Sequence, residues 1–251
     1  MTEKEQFISN ISAALGRKTI QKPEADHRLS FFESASSINS NADQSIVDSV
    51  NRSDQLMDQM SSAAETIGWK VHHASNTEVA ASIVAGICKD NNAKNVLRSA
   101  HEVLDQIVVD AAISNIGASV EVTEHQGDYS QIDVENTKIK AFAADIGITG
   151  VDYAIAETGS IVLHPRSGLS RLVSLAPPIH IAVLRPAEVI ASLDELFALE
   201  RSNFINDQLE GSMNIISGPS KTADIEGTTV TGIHGPLEVH LVIFKDDHIG
   251  Q

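Results

Sequence analysis

Apolar residues along the chain follow two different spacings. In three segments they lie three or four positions apart, as on one face of a helix, at residues 43–67, 77–90 and 101–115. Short segments that are typical of strands follow these segments, at residues 69–73, 95–98 and 118–122. Because strands that alternate with helices are typical of βαβ units, the pattern predicts an α/β fold with three αβα layers around a mostly parallel sheet.

The second half of the chain is centred on residues 147–164, which predict a turn, a strand, a tight bend and a second strand. At the bend, Glu157-Thr158-Gly159 interrupts the apolar pattern, and the glycine permits the positive φ that a tight bend needs. The carboxylate there is either a solvated turn residue or a group directed into a site. The remaining predicted elements are a loop over 128–138, a helix over 139–145, strands at 180–184, 213–216 and 239–244, and a helix over 186–200.

The first 42 residues differ from the rest. Residues 2–15 predict a short helix with one apolar stripe, which Gly16 is placed to end. Residues 18–41 have no sustained period and predict a linker, whose apolar side chains either dock on the main body or another subunit or stay loosely held. The sequence therefore predicts an N-terminal helical arm at residues 1–42 and an α/β domain at residues 43–251, and it leaves homo-oligomer formation open.

Charge and cysteine content narrow the range of partners and cofactors. The formal net charge is −16 at pH 7, and no cluster of lysine and arginine residues offsets it. Binding to nucleic acid or to an anionic membrane is therefore disfavoured. No apolar run approaches the ~20 residues that span a bilayer, and the N-terminus lacks the order of a signal peptide. The one cysteine, Cys88, lies in an apolar run and cannot supply an iron–sulfur cluster. We therefore expect a cytoplasmic protein without membrane insertion and without a cofactor of its own.

Residues 217–236 contain the densest set of polar and turn-forming residues. Those whose polar groups a ligand could contact are Ser217, Gly218, Ser220, Thr222, Asp224, Glu226 and Gly235. Exposed amides around Gly218, with the two hydroxyls that follow, are suited to a small anion. The alternative is a rigid turn that joins strands and binds nothing. The segment lacks the spacing of a Walker phosphate loop, which argues against a nucleoside triphosphatase.

Histidine and arginine residues add further candidates. Four histidines lie near predicted strand ends or turns, at His164, His180, His234 and His240. They lack helical i, i+4 spacing and any compact ligand motif, so the sequence predicts no metal site. His234, beside a Gly-Pro turn, is the best candidate for a ligand contact or a general acid–base role. Arg166 and Arg171 are candidates for pairing with a carboxylate, and the alternative is that both are surface or capping residues.

Four motifs occur in the order found in one protein family. They are Ala156-Glu157-Thr158-Gly159, Pro177-Pro178-Ile179-His180-Ile181, the SGPSKTADIEG run that begins at Ser217, and His234-Gly235-Pro236. On these motifs the chain resembles the LUD-domain family over most of its length, most firmly at residues 147–244. The resemblance implies a fold similar to the NagB/RpiA/CoA-transferase-like superfamily.

The resemblance also implies a function. Members of this kind act in the oxidation of L-lactate to pyruvate alongside iron–sulfur partner proteins, which would hold the clusters that Cys88 cannot. The chain is then a subunit of an L-lactate utilization system that binds a small anionic ligand or its partner subunits. One alternative is a stand-alone enzyme of the sugar-phosphate isomerase, CoA-transferase or formyl-folate cyclo-ligase kind. Another is a scaffold whose acidic surface docks partners.

The resemblance bears on the bend at residues 157–159. CoA transferases of that superfamily use the glutamate of a Glu-Asn-Gly turn as a nucleophile, and Glu157 lies in a similar turn with threonine for asparagine. Glu157 and His234 are therefore the candidate catalytic residues, although Glu157 could instead accept hydrogen bonds or be purely structural. The candidate ligand-binding residues are Thr158, Gly159, Arg171, Ser217, Gly218, Ser220, Thr222, Asp224, Glu226 and Gly235. This interpretation requires the bend and the 217–227 loop to meet at one rim of the sheet.

Overall fold

The computed structural model describes residues 3–14, 16, 34–123, 131–225 and 228–244. Its helices are α1 (Glu3–Ala14), α2 (Ala35–Asn51), α3 (Ser53–Ile67), α4 (Thr77–Asp90), α5 (Glu102–Gln106), α6 (Val109–Asn115), α7 (Gln131–Ala143), α8 (Leu172–Leu175) and α9 (Leu193–Ile205). Its strands are β1 (Lys70–Ala74), β2 (Asn95–Arg98), β3 (Ser119–Val122), β4 (Ile146–Gly150), β5 (Tyr153–Ile155), β6 (Ser160–Leu163), β7 (Ile179–Leu184), β8 (Val189–Ile190), β9 (Asn214–Ile216), β10 (Lys221–Ile225), β11 (Thr228–Thr231) and β12 (Glu238–Phe244). Among these residues, no helix combines the length and the apolar character needed to cross a membrane.

Six strands form a parallel sheet in the order β1-β12-β7-β4-β2-β3. A second sheet has the order β8-β5-β6-β9, with β5 and β6 antiparallel on either side of the bend at Gly159. β10 and β11 form a separate antiparallel pair. The bend itself is as predicted, since Gly159 has a φ of 68°.

Side chains of the parallel sheet point alternately into two apolar cores, as the period of a strand requires. On β7, Ile181 and Val183 face a core formed with α4, α5 and α6. Ala182 and Leu184 of the same strand face the opposite core, which includes α3 and part of the second sheet. The three-layer αβα fold with a mostly parallel sheet, predicted from the sequence, is therefore confirmed.

The second sheet is buried on both faces. Ala154 and Ile161 pack towards α3 and the parallel sheet, whereas Ile155 and Val162 pack against α2 and α9. The sequence predicted the β5–β6 hairpin but not this sheet. One of its outer strands, β8, is only 2 residues long, which is too short to show a periodic pattern.

Two predicted helices are each divided in the structure. The segment 43–67 comprises parts of α2 and α3, separated at Arg52, whose φ of −113° lies outside the helical range. The segment 101–115 comprises α5 and α6, separated at Val108, which adopts a left-handed conformation with a φ of 52°. Apolar spacing continues through both breaks, so periodicity alone does not reveal them.

Helix α2 begins earlier than predicted. Ser34 is its N-cap, and the Ser34 hydroxyl accepts a hydrogen bond from the backbone N–H of Ser37 at 3.2 Å. Ile38 and Ala42 are buried on this helix, so the helix spans residue 42, the predicted boundary between the arm and the domain. That division into an arm and a domain stays a prediction.

Three further segments differ in type from their predictions. The start of the predicted 186–200 helix is a short 3₁₀ turn followed by β8, and α9 begins only after the N-cap Ser192. The predicted loop at 128–138 overlaps α7, whose polar composition hides its period. The predicted turn at residues 147–150 belongs to β4, a fully buried strand of the parallel sheet. Gly147 is needed there because a Cβ would lie 1.8 Å from the carbonyl oxygen of Val173.

Candidate functional site

The carboxyl ends of β2, β4 and β7 lie side by side at one edge of the parallel sheet. His101 follows β2, Asp152 follows β4 and Arg185 follows β7. Arg166 reaches the same edge from the loop after β6, where it contacts Asp152. Open α/β sheets bind their ligands at this edge, because the loops that leave neighbouring strands diverge and enclose a crevice.

Asp152 is the residue on which these loops converge. Its carboxylate accepts two hydrogen bonds from the guanidinium of Arg166, at 2.8 and 3.2 Å, and one from the backbone N–H of His164 at 2.6 Å. Burial by itself raises the pKa of Asp152, but the hydrogen bonds from His164 and Arg166 outweigh it and hold the pKa well below its usual range. Asp152 is therefore an ionised hydrogen-bond acceptor at neutral pH.

Behind Asp152, the imidazole of His164 lies between two carboxylates. Its Nδ1 lies 3.3 Å from Oδ2 of Asp152, and its Nε2 lies 3.2 Å from Oε1 of Glu200 on α9. The second contact has the distance of an ion pair without the alignment of a hydrogen bond. The two neighbouring carboxylates, Asp152 first and then Glu200, raise the pKa of His164 to about 9. A positive charge is thus fixed beneath the edge of the sheet.

His101 has the opposite character, since burial lowers its pKa although Asp152 opposes the change. Its Nδ1 accepts a hydrogen bond from the backbone N–H of Val103 at 3.3 Å, which caps α5. The hydrogen of the neutral ring therefore lies on Nε2. This Nε2 is 3.9 Å from Oδ1 of Asp152, too far for a direct hydrogen bond. His101 can therefore donate to a group that lies beside Asp152.

Arg185 begins the loop after β7 and is held by two carboxylates. Its Nε donates to Glu188 at 2.5 Å, and its Nη2 donates to Glu102 at 2.9 Å. Burial raises the pKa of Glu188 to about 7, against the attraction of the Arg185 charge. Together with Arg166, this places a second guanidinium at the same edge.

Three cavities surround Asp152. The outer cleft, of about 470 Å³, is lined by polar residues that include His101, Glu102, Asp152, Arg166, Arg185 and Glu188. The side cleft, of about 220 Å³, shares Asp152 and Arg166 with the outer cleft and also includes Tyr153, Glu200 and Asn203. The inner cavity, of about 20 Å³, is lined in part by Ser99, His101 and Asp152. Within the described ranges, no group of three or more His, Cys, Asp or Glu side chains is arranged to hold a metal ion.

The bend at residues 157–159 does meet the Ser217 loop. Thr158 Oγ1 donates to Ser160 Oγ at 2.8 Å, and the hydroxyl oxygens of Ser160 and Ser217 lie 2.6 Å apart. Gly159 and Gly218 pack against helix α3 and its end, because a Cβ at either position would lie 2.4 or 2.5 Å from backbone atoms there. Contacts within the protein account for the conformations of these residues.

The remaining predicted residues are spread over other positions. Ser220 lies beside Gly235, where its backbone N–H donates to Pro236 at 3.0 Å. Thr222 and Asp224 lie in β10, and Glu226 is outside the described residues. The side chains of Glu157 and His234 are exposed, and neither residue lines the three cavities at Asp152.

Among the predicted site residues, Arg171 lines one of the cavities, the inner one. The residues predicted from the sequence do not include Ser99, His101, Asp152, Arg185 or Glu188. Each comes one to four residues after a strand of the parallel sheet, and for all of them except Asp152 that strand was predicted, so the position was an available signal. Arg166 was considered as a carboxylate partner and does lie at this edge.

A comparison with known proteins identifies the family. The LUD domain profile matches residues 57–244. The chain belongs to the LUD-domain family. Lactate utilization protein C of Halalkalibacterium halodurans is 28% identical over 248 residues, which cover 97% of this chain and 98% of that protein. Lactate utilization protein C of Exiguobacterium sp. is 40% identical over 114 residues, which cover 45% and 49% of the two chains.

A solved structure supports the fold alone. A DUF162 family protein from Deinococcus radiodurans superposes with a TM-score of 0.50 at 22% identity, over 76% of this chain and 98% of that chain. The family profile confirms the resemblance inferred from the four sequence motifs. The fold of the solved structure agrees with the α/β architecture.

Proposed function

We propose that the protein acts in lactate utilization and that the outer cleft binds a small carboxylate such as lactate or pyruvate. Relatives named lactate utilization protein C, one of them aligned over nearly the full chain, support the first part. The second part rests on one observation: two guanidinium groups and the His101–Asp152 pair line a single open cleft of about 470 Å³.

The cleft has donors available for a carboxylate. Arg166 uses three N–H groups on Asp152 and on the carbonyl oxygen of His164. Arg185 uses three on Gln106, Glu102 and Glu188. A guanidinium has five N–H groups, so the contacts that the structure describes leave two on each arginine. Two parallel N–H groups match the oxygens of a carboxylate.

The local charge at the cleft is nearly balanced, in contrast to the formal net charge of −16 for the whole chain. At the cleft, Arg166 and Arg185 oppose Asp152 and Glu102, and behind it the His164 imidazolium is paired with Glu200. Glu188, with a pKa of about 7, is only partly charged at neutral pH. The negative field of the surface is therefore compensated where a carboxylate would bind.

The proposal includes iron–sulfur partner proteins that accept the electrons of lactate oxidation. Cys88, the one cysteine of the chain, is buried in α4 and cannot provide a cluster site. Co-purification of the tagged protein from lactate-grown cells tests this part. Iron and acid-labile sulfide that elute with the protein are the expected result, and a preparation free of both under lactate growth contradicts it.

Calorimetric titration of the purified protein with L-lactate, pyruvate and acetate tests the cleft. We expect binding of lactate or pyruvate and at least a tenfold loss of affinity in Arg166→Gln, because the guanidinium is removed from the cleft. Arg52→Gln is the matched control, since Arg52 pairs with Glu195 at 3.4 Å away from the cleft. Equal affinity of Arg166→Gln and wild type would overturn the assignment of the cleft.

Growth of a deletion strain on L-lactate tests the wider role. The wild-type gene and the Arg52→Gln variant should restore growth, and Arg166→Gln should not. Normal growth of the deletion strain on L-lactate removes the proposed role in lactate utilization. Full restoration of growth by Arg166→Gln would leave that role intact and contradict the assignment of the outer cleft as the carboxylate site.

A further inference from the structure

The inner cavity adjoins the outer cleft, with which it shares His101, Asp152 and Leu169. Its volume of about 20 Å³ suits one water-sized group, because one such group needs about 10–15 Å³. The inner cavity therefore admits a single non-hydrogen atom of a ligand whose remainder lies in the outer cleft.

Ser99 supplies an unused polar group to the inner cavity. The residue is 2% exposed, and its Oγ has no hydrogen-bond partner among the described residues. A buried hydroxyl without a partner costs about 1–3 kcal/mol. Ser99 therefore favours the entry of a polar atom into the inner cavity.

His101 and Asp152 determine which hydrogen bonds that polar atom can form. The His101 ring packs against Gly150, where a Cβ would lie 2.3 Å from ring atoms, and its Nδ1 is occupied by Val103. Its Nε2, which carries the ring hydrogen, is separated from Oδ1 of Asp152 by a gap of 3.9 Å. Because this gap is shorter than two hydrogen bonds of about 2.9 Å, one oxygen atom beside it can contact both groups.

The three groups call for an oxygen that both accepts and donates. His101 offers an N–H donor, the Asp152 carboxylate offers an acceptor, and the Ser99 hydroxyl can act as either. An alcohol oxygen satisfies both His101 and Asp152. A carbonyl oxygen accepts from His101 but presents a lone pair to the carboxylate, which is repulsive.

Resting on the function proposed above, we infer that the inner cavity binds the hydroxyl oxygen of a 2-hydroxy carboxylate, so that the protein prefers the alcohol form of its ligand to the 2-oxo form. The carboxylate of the ligand then lies in the outer cleft at the guanidinium groups. The protein is accordingly a receptor for the reduced member of the lactate–pyruvate pair.

Calorimetric titration with L-lactate and pyruvate under identical conditions tests this inference. We expect lactate to bind at least tenfold more tightly than pyruvate, because a site that hydrogen-bonds a hydroxyl discriminates against analogues without one. Equal affinities, or tighter binding of pyruvate, would overturn the inference while leaving the cleft as a carboxylate site. Failure of both acids to bind would instead remove the proposed function itself.

Serine variants supply the matched control. Ser99→Ala should weaken lactate binding about fivefold or more and leave pyruvate binding nearly unchanged, without a loss of stability, because the deleted hydroxyl has no partner. Ser174→Ala removes an equally buried hydroxyl that donates to the carbonyl oxygen of Arg171 at 3.0 Å. It should lower stability and keep the lactate affinity. Wild-type lactate affinity in Ser99→Ala would overturn the inference.

Asp152→Asn tests the acceptor directly. An asparagine amide can donate to a carbonyl oxygen, so the ratio of lactate to pyruvate affinity should fall towards one. Asp152 also accepts hydrogen bonds from Arg166 and His164, so its replacement can destabilise the fold. If Asp152→Asn does not fold, Ser99→Ala decides the test. A crystal structure with lactate supplies an independent result: its hydroxyl in the inner cavity supports the inference, and a water there with lactate bound elsewhere contradicts it.

Discussion

Nδ1 of His164 lies 3.3 Å from Oδ2 of Asp152, and this contact is the main cause of the raised pKa of His164. The pKa rises from 6.5 to about 9 on folding, so the bound proton stabilises the folded state. That contribution is fully present below pH 6.5 and is lost as the pH rises through about 9. At about 1.4 kcal/mol per pKa unit it amounts to about 3 kcal/mol.

We therefore expect His164→Gln to lose about 3 kcal/mol of stability relative to wild type at pH 6 and much less at pH 10. Urea unfolding of both proteins at the two pH values measures this difference. His73→Gln is the control, because His73 is exposed on β1 and replacing an exposed side chain should change stability by no more than about 0.5 kcal/mol. An equal loss at pH 6 and pH 10 would contradict a charged His164.

Gly159 should be irreplaceable for a packing reason. Its φ is 68°, and a Cβ would lie 2.4–2.7 Å from backbone atoms of Ala63 and Ala64. We expect Gly159→Ala to destabilise the protein by about 3 kcal/mol or more, since backbone cannot move aside as a flexible side chain can. Gly86→Ala in α4 is the control: its Cβ meets nothing within 4 Å, and alanine should stabilise the helix by about 0.5–1 kcal/mol. Similar urea midpoints for the two variants would refute this explanation.

Ser160 and Ser217 should be energetically coupled through their 2.6 Å contact. Ser160→Ala removes a buried hydroxyl that also accepts from Thr158, so we expect a loss of about 1–2 kcal/mol. Ser217 is exposed, and Ser217→Ala should cost less. A double-mutant cycle in urea should give a coupling of about 0.5–1.5 kcal/mol, and additive losses would show that the contact contributes nothing.

The Cys88 thiol should resist alkylation in the folded protein. Burial raises its pKa to about 12, and the reactive species is the thiolate. Iodoacetamide at pH 8 should leave the native protein unmodified for hours and label it fully in urea. Phe142→Cys provides the control, because position 142 is 73% exposed and should be labelled at once. Rapid stoichiometric labelling of the native wild type would contradict the burial.

The spacing of apolar residues in helices and strands predicted the layered fold. Most strands of the parallel sheet are long enough to place side chains on both of its faces. This spacing failed where a local conformation interrupts a continuing pattern, as at Val108, whose left-handed φ has no sequence signal in a β-branched residue. Gly147 was misinterpreted for a related reason. Glycine is typical of turns, but at this position it allows β4 to lie against the backbone of Val173.

The candidate site was less predictable than the fold. Motif density pointed to residues 157–159 and 217–227, where glycines and hydroxyls support one another structurally. His101, Asp152 and Arg185 are isolated polar residues far apart in the sequence, and only the order of strands in the sheet brings them together. Strand order depends on tertiary pairing, which periodicity does not encode.

That strand order also has a consequence for synthesis of the protein on the ribosome. β1, near the start of the sheet-forming sequence, has β12 as its neighbour, and β12 also separates it from β7. Until residues 238–244 have emerged from the exit tunnel, β7 presents an unpaired apolar edge and β1 has no partner strand in the sheet. Nascent chains stalled before this point should therefore engage chaperones, because β1 and β7 both lack the strand that joins them.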